Sequence, residues 1–146
     1  MDVTHIIHIS DIHIRHGDND KSRYNEYKYV FDNFISSIKN LECIKNKSSL
    51  IVITGDLFHN KGKFDTPAAK LYFNWFHQLL HLSHIIIICG NHDFRQEDPD
   101  HPDAIDVLAN PFTNNSSYPF KLIYLKDTGI YDLFGITFGV LSIKDI

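Results

Sequence analysis

Three apolar runs dominated by β-branched residues, at 6–9, 50–53 and 85–88, each stop at a short polar cluster. The clusters are Asp11-Ile12-His13, Gly55-Asp56 and Gly90-Asn91-His92-Asp93. The second and third runs, Leu50-Ile51-Val52-Ile53 and Ile85-Ile86-Ile87-Ile88, are apolar without alternation. Strands buried on both faces read this way, and such strands belong to parallel sheets covered by helices. Strands alternating with helical segments point to the same α/β class. In an open α/β sheet, ligands bind outside the carboxyl ends of the strands. The three clusters are therefore expected to share one pocket.

The segments between the runs have helical spacing. Over residues 24–38 the apolar positions Tyr24, Tyr27, Phe31, Phe34, Ile35 and Ile38 recur at intervals of three and four. Over residues 67–82, Pro67 suits a first helical position and Asp65 or Thr66 a cap. The apolar residues there, from Ala68 to Leu82, spread over an arc of roughly 200° at about 100° per residue. Either that helix is wedged between the sheet and a neighbour, or Phe73, Phe76 and Leu80 form the face of a homodimer. Residues 95–119 are rich in Asp, Asn, Pro and Ser, with a helical island at 103–109. Gly129, Gly135 and Gly139 punctuate a hairpin over 130–143.

The 146 residues suffice for one domain with a real core, and 1–146 reads as a single domain without a linker. A net charge of −4 excludes a broadly basic nucleic-acid binder, so any DNA contact must be local or run through metal ions. Two cysteines, Cys43 and Cys89, make no disulfide framework. A first strand beginning at residue 3 leaves no room for a signal peptide, and no apolar run reaches membrane-spanning length. An intracellular setting away from membranes is expected.

Carboxylate and amide oxygens mixed with imidazoles suit a divalent-metal site. Asp11 and His13, two apart at a strand end, point to one face. Asp56, after a glycine that permits a sharp turn, can bridge two ions. Asn91 offers a carbonyl oxygen, His92 stands beside the ions, and Asp93 is expected to orient the His92 ring or raise its basicity. Paired ions would activate a water and clamp both oxygens of an in-line displacement at phosphorus.

The three clusters in this order resemble the motifs of the calcineurin-like metallophosphoesterase superfamily. These run Asp-x-His, Gly-Asp, Gly-Asn-His-Asp/Glu, Gly-His and Gly-His-x-His. Gly55-Asp56-Leu57-Phe58-His59 and the Gly90-Asn91-His92-Asp93 ending are most similar to double-strand-break repair nucleases of the meiotic-recombination-eleven and SbcD type. The Asp-Arg-Gly ending of phosphoprotein phosphatases is absent. The resemblance runs from residue 4 to at least 109. It implies a metallophosphoesterase core, a β-sandwich flanked by helices, of which this chain supplies the first βαβαβ half and the start of the second sheet. It further implies that Asp11 and His13 bind a first metal, Asp56 bridges and Asn91 binds a second. His92 becomes the transition-state histidine with Asp93 its partner, and His59 a substrate-side histidine rather than a solvent-exposed one. The ions are manganese, with iron, zinc or magnesium as alternatives. DNA is the implied substrate, a coiled-coil ATPase the implied partner, and helices after the second motif build a homodimer.

Two departures stand out. Arg15 and His16 follow His13 where the family often has Leu-Gly, and either could touch a phosphate or lie in a solvated loop. No histidine follows His101, so the Gly-His and Gly-His-x-His motifs, with three imidazole ligands, are missing. Three functions remain open: a DNA-end phosphodiesterase, a catalytically dead binding or dimerisation module, and a phosphoesterase acting on nucleotides or phosphoproteins.

Overall fold

The two uninterrupted apolar runs form the centre of a four-stranded parallel sheet. The computed structural model describes residues 2–15, 21–60, 64–94, 101–113 and 115–146, so His16 and loop residues 61–63 lie outside the described residues. The elements in chain order are β1 (His5–Ile9), α1 (Lys21–Ile38), α2 (Glu42–Lys45), β2 (Ser49–Ile53), α3 (Thr66–Leu79) and β3 (His84–Ile87). Then come α4 (Ala104–Thr113), β4 (Leu122–Tyr124), β5 (Gly129–Leu133), β6 (Ile136–Val140) and a 3-10 turn at Ile143–Asp145. The sheet order is β1-β2-β3-β4, with Ile51 opposite both Ile7 and Ile85. β1 starts at His5 rather than at residue 3. It is an edge strand, and its histidines and the half-exposed Ile6 suit that place better than a doubly covered one.

Alternation along β2 and β3 makes two cores, because successive side chains of a strand point to opposite faces. Ile51, Ile53, Ile85 and Ile87 pack under the helices. Leu50 and Ile86 face the other way, against Tyr131, Leu133, Phe134, Ile136 and Phe138 of the β5–β6 hairpin. The hairpin pairs antiparallel as a separate two-stranded sheet, so helices cover one face and a second sheet begins on the other. This is the α/β arrangement expected.

The width of the α3 apolar arc has an internal cause. Trp75 stacks on Phe31 of α1 at 4.4 Å, and Tyr72, Phe73 and Phe76 all ring-pack against Phe112 of α4. Phe76 and Leu80 are fully buried and Phe73 is half-buried. Phe76 and Leu80 are therefore core, as a helix wedged between the sheet and its neighbours requires. α4 outruns the expected island at 103–109. Asp103 accepts the Asp106 N–H at 2.7 Å at its start, and burial of Phe112 carries the helix through Pro111. β4 is three residues long and lies between the loop-rich stretch at 95–119 and the hairpin expected over 130–143. Both cysteines are free and buried, and burial pushes the Cys89 thiol up to about 12. Among the described residues no helix is long and apolar enough to cross a membrane.

Candidate metal centre

Beyond the sheet, the chains leaving β1 and β2 continue side by side. Asp11 N–H donates to Gly55 O at 3.3 Å, His13 N–H to Asp56 O at 2.8 Å and Ile14 N–H to Leu57 O at 2.7 Å. His59 N–H returns to Ile14 O at 3.0 Å. The segment after β3 closes on these two through glycine. A Cβ at Gly90 would overlap the carboxylate and backbone nitrogen of Asp56, and one at Gly55 would overlap the Gly90 backbone. His92 N–H then donates to Asp56 Oδ1 at 3.0 Å. The three clusters thus meet at one place.

Three non-glycine residues here have left-handed backbones: Asp11 at φ 57°, His13 at 49° and Asp56 at 53°. Each such conformation costs about 1–3 kcal/mol and persists only where surrounding bonds impose it. Here it aims the side chains inward. One ligand atom each from Asp11, His13 and Asp56 lie within 4.8 Å of one another, and so do those from His13, His59 and His92. His13 Nε2 stands 3.7 Å from both Asp11 Oδ1 and Asp56 Oδ2. Asp56 is deep, with 15% of its side chain exposed, and Asp11 is at the rim with 67%.

The donors fit a divalent cation. His13 Nδ1 is buried without a hydrogen-bond partner among the described residues. The Asn91 amide faces the Asp56 carboxylate at 3.1 and 3.3 Å. With its nitrogen inward it donates to both oxygens. With its oxygen inward, three oxygens converge, an arrangement stabilised by a cation between them. Mixed carboxylate, amide and imidazole donors suit manganese, iron or zinc.

A model of the calcineurin-like phosphoesterase family matches residues 4–145. The chain belongs to that family. It is 36% identical over 142 residues to uncharacterized protein R555 of Acanthamoeba polyphaga mimivirus, a match covering 97% of this chain and 10% of that protein. The chain thus spans about a tenth of the length of that curated relative. The four-stranded parallel sheet flanked by helices is the metallophosphoesterase core, and membership implies metal-dependent hydrolysis of phosphoesters.

Within this candidate centre the histidines are fixed from behind. His92 Nδ1 lies 2.6 Å from the His59 carbonyl. A carbonyl only accepts, so Nδ1 carries the proton and Nε2 is the working nitrogen. The His92 ring stands perpendicular to His13 at 4.8 Å and nearly parallel to His59 at 5.7 Å. Partial burial, then the Arg15 guanidinium and the His13 and His92 imidazoles, hold His59 below the usual imidazole range. Arg15 itself is exposed.

The His92 ring is held at Nδ1 by the His59 carbonyl rather than by Asp93. The buried Asp93 carboxylate accepts Gly90 N–H at 3.0 Å and Phe58 N–H at 3.2 Å, tying the third cluster to the second. Burial pushes it up to about 6 despite those bonds. Two buttresses escaped the sequence. Tyr27 of α1 donates its hydroxyl to the His13 carbonyl at 2.6 Å, and the Ser10 hydroxyl donates to the Asp11 carboxylate. Tyr27 counts among the apolar positions of its helix, and nothing in the spacing announces where its hydroxyl goes.

Proposed function

We propose that this chain hydrolyses phosphodiesters with a pair of divalent ions, in the manner of a DNA repair nuclease. The convergence of Asp11, His13 and Asp56 ligand atoms within 4.8 Å carries this reading. Asp11 and His13 would hold the first ion, Asp56 would reach both, and Asn91 would hold the second. Such ions, when bound, supply an activated water and charge stabilisation at phosphorus. Manganese is the first choice, with iron, zinc and magnesium as alternatives.

The chain's own residues do the rest. His92, anchored at Nδ1, presents Nε2 to stabilise developing charge or to hand a proton to the leaving oxygen. His59 lines the substrate side, and Arg15 offers a guanidinium to a phosphate. Asp93 acts through the backbone it holds. With a net charge of −4, DNA contact would run through the ions and Arg15 rather than a basic surface. A coiled-coil ATPase partner follows from the resemblance alone.

A nucleotide substrate is the second reading, because an aromatic cavity of about 360 Å³ takes part of its lining from the first cluster. Ile12, which sits between Asp11 and His13, lines it together with Tyr27, Phe31, Phe34 and Trp75. The test is hydrolysis of bis(p-nitrophenyl) phosphate by the purified chain, with and without manganese, beside His92→Ala. Manganese-dependent turnover that falls by about 100-fold or more in His92→Ala is expected. Turnover indifferent to both would overturn the proposal. Comparison of linear duplex DNA with cyclic nucleotides then separates the two readings.

A further inference from the structure

A second pair of imidazoles lies at the far end of α3. That helix ends beside the start of β3, at the amino edge of the sheet, whereas the phosphoesterase centre sits at the carboxyl edge. His77 lies in the last turn of α3 and His81 in the turn that follows it, four residues on. Both are exposed. Their ring centroids are 4.8 Å apart with planes at 58°.

The His81 hydrogen bond leaves a ligand atom in place. His81 Nδ1 lies 2.8 Å from the His77 carbonyl, which can only accept. That nitrogen therefore carries the proton, and Nε2 keeps its lone pair. His77 Nδ1 lies 3.1 Å from the Tyr118 hydroxyl, and donation to that oxygen leaves the His77 Nε2 lone pair free as well. The Tyr118 ring stands edge-on to both imidazoles, at 5.6 and 5.5 Å, and backs them as a pair. A metal-binding histidine is commonly fixed in this way through its other nitrogen. Two imidazoles joined to one ion at about 2.0–2.1 Å place their centroids about 5 Å apart at near-tetrahedral angles. The carboxyl end of a helix also favours positive charge.

We propose that His77 and His81 form a second metal site, separate from the phosphoesterase centre, that takes zinc or a similarly soft divalent ion through the two Nε2 atoms. Paired imidazoles without a carboxylate select zinc, nickel or copper over magnesium and manganese. Tyr118 is a positioning residue that sets the His77 tautomer. Occupancy would pin the turn joining α3 to β3 onto the end of the helix.

The test is titration of the whole chain with zinc chloride, followed by imidazole ¹H–¹⁵N NMR. His77 and His81 Nε2 signals are expected to move together and saturate at one ion, with magnesium unable to reproduce the shift. They should do so equally in Asp56→Asn, which separates this site from the phosphoesterase centre. His81→Ala should weaken zinc binding at His77 by about tenfold or more. Tyr118→Phe should change the His77 tautomer signature before any zinc is added. Signals that stay still through millimolar zinc would overturn the site, and so would His77 binding of unchanged affinity in His81→Ala. The wild-type titration decides even if a variant misfolds.

Discussion

At the scale of single residues, the centre depends on close backbone approach as much as on its ligands. Gly90→Ala puts a methyl group into the Asp56 carboxylate and backbone, neither of which can retreat without opening the join between the second and third clusters. A cost of about 1–3 kcal/mol in urea unfolding is expected, together with a loss of turnover larger than the stability loss explains. Asp93→Asn keeps the shape but turns an amide donor towards one of two backbone donors, Gly90 N–H or Phe58 N–H. Its expected cost is also about 1–3 kcal/mol, checked by the same melts. Asp11, His13, Asp56, Asn91 and His92 stand out in the sequence because residue types suited to metal and acid–base chemistry sit at strand ends, and the fold brings them together. The His59 carbonyl that orients His92, and the Tyr27 hydroxyl under His13, do not stand out. A backbone acceptor has no residue signature, and a tyrosine on an apolar stripe looks like packing alone.

At the scale of elements, α3 joins the helical layer together and the hairpin depends on β3. Trp75 is buried between α3 and α1 in a stack with Phe31, so Trp75→Ala is expected to cost about 3–5 kcal/mol in denaturant unfolding. His84, at the start of β3, stacks on Phe134 of the turn between β5 and β6 at 4.3 Å. Its Nδ1 accepts the Lys121 N–H at 3.0 Å, which requires the neutral ring. Burial first, and then the Lys121 charge, hold His84 below the usual imidazole range. An unfolded His84 takes up its proton near pH 6.5 and the folded one only at lower pH. Stability is therefore undiminished above about pH 6.5 and falls as pH drops below it. Thermal melts from pH 8 to pH 5 should show a decline that is reduced in His84→Phe. The element record explains what sequence could and could not show. β2 and β3 were legible because both faces are covered, whereas β4 is too short for any period. The α3 arc signalled burial on two sides, and the position of Phe112 places α4 against one of them.

At the scale of the whole molecule, one sheet serves two cores and one edge of it serves the chemistry. The alternation of β2 and β3 assigns Ile51 and Ile85 to the helices and Leu50 and Ile86 to the hairpin. The carboxyl ends of those strands deliver the ligands, so fold and site come from the same residues. What the sequence could not show is which face the hairpin takes, since its own alternation fits either. The centre itself is tested most directly by manganese binding, read from the free-ion electron paramagnetic resonance signal during titration into the folded chain. The wild-type chain is expected to remove that signal, and Asp56→Asn, with folding checked by circular dichroism, to leave most of it. A free-ion signal undiminished by the wild type, or removed equally by Asp56→Asn, would contradict a metal centre at the three strand ends.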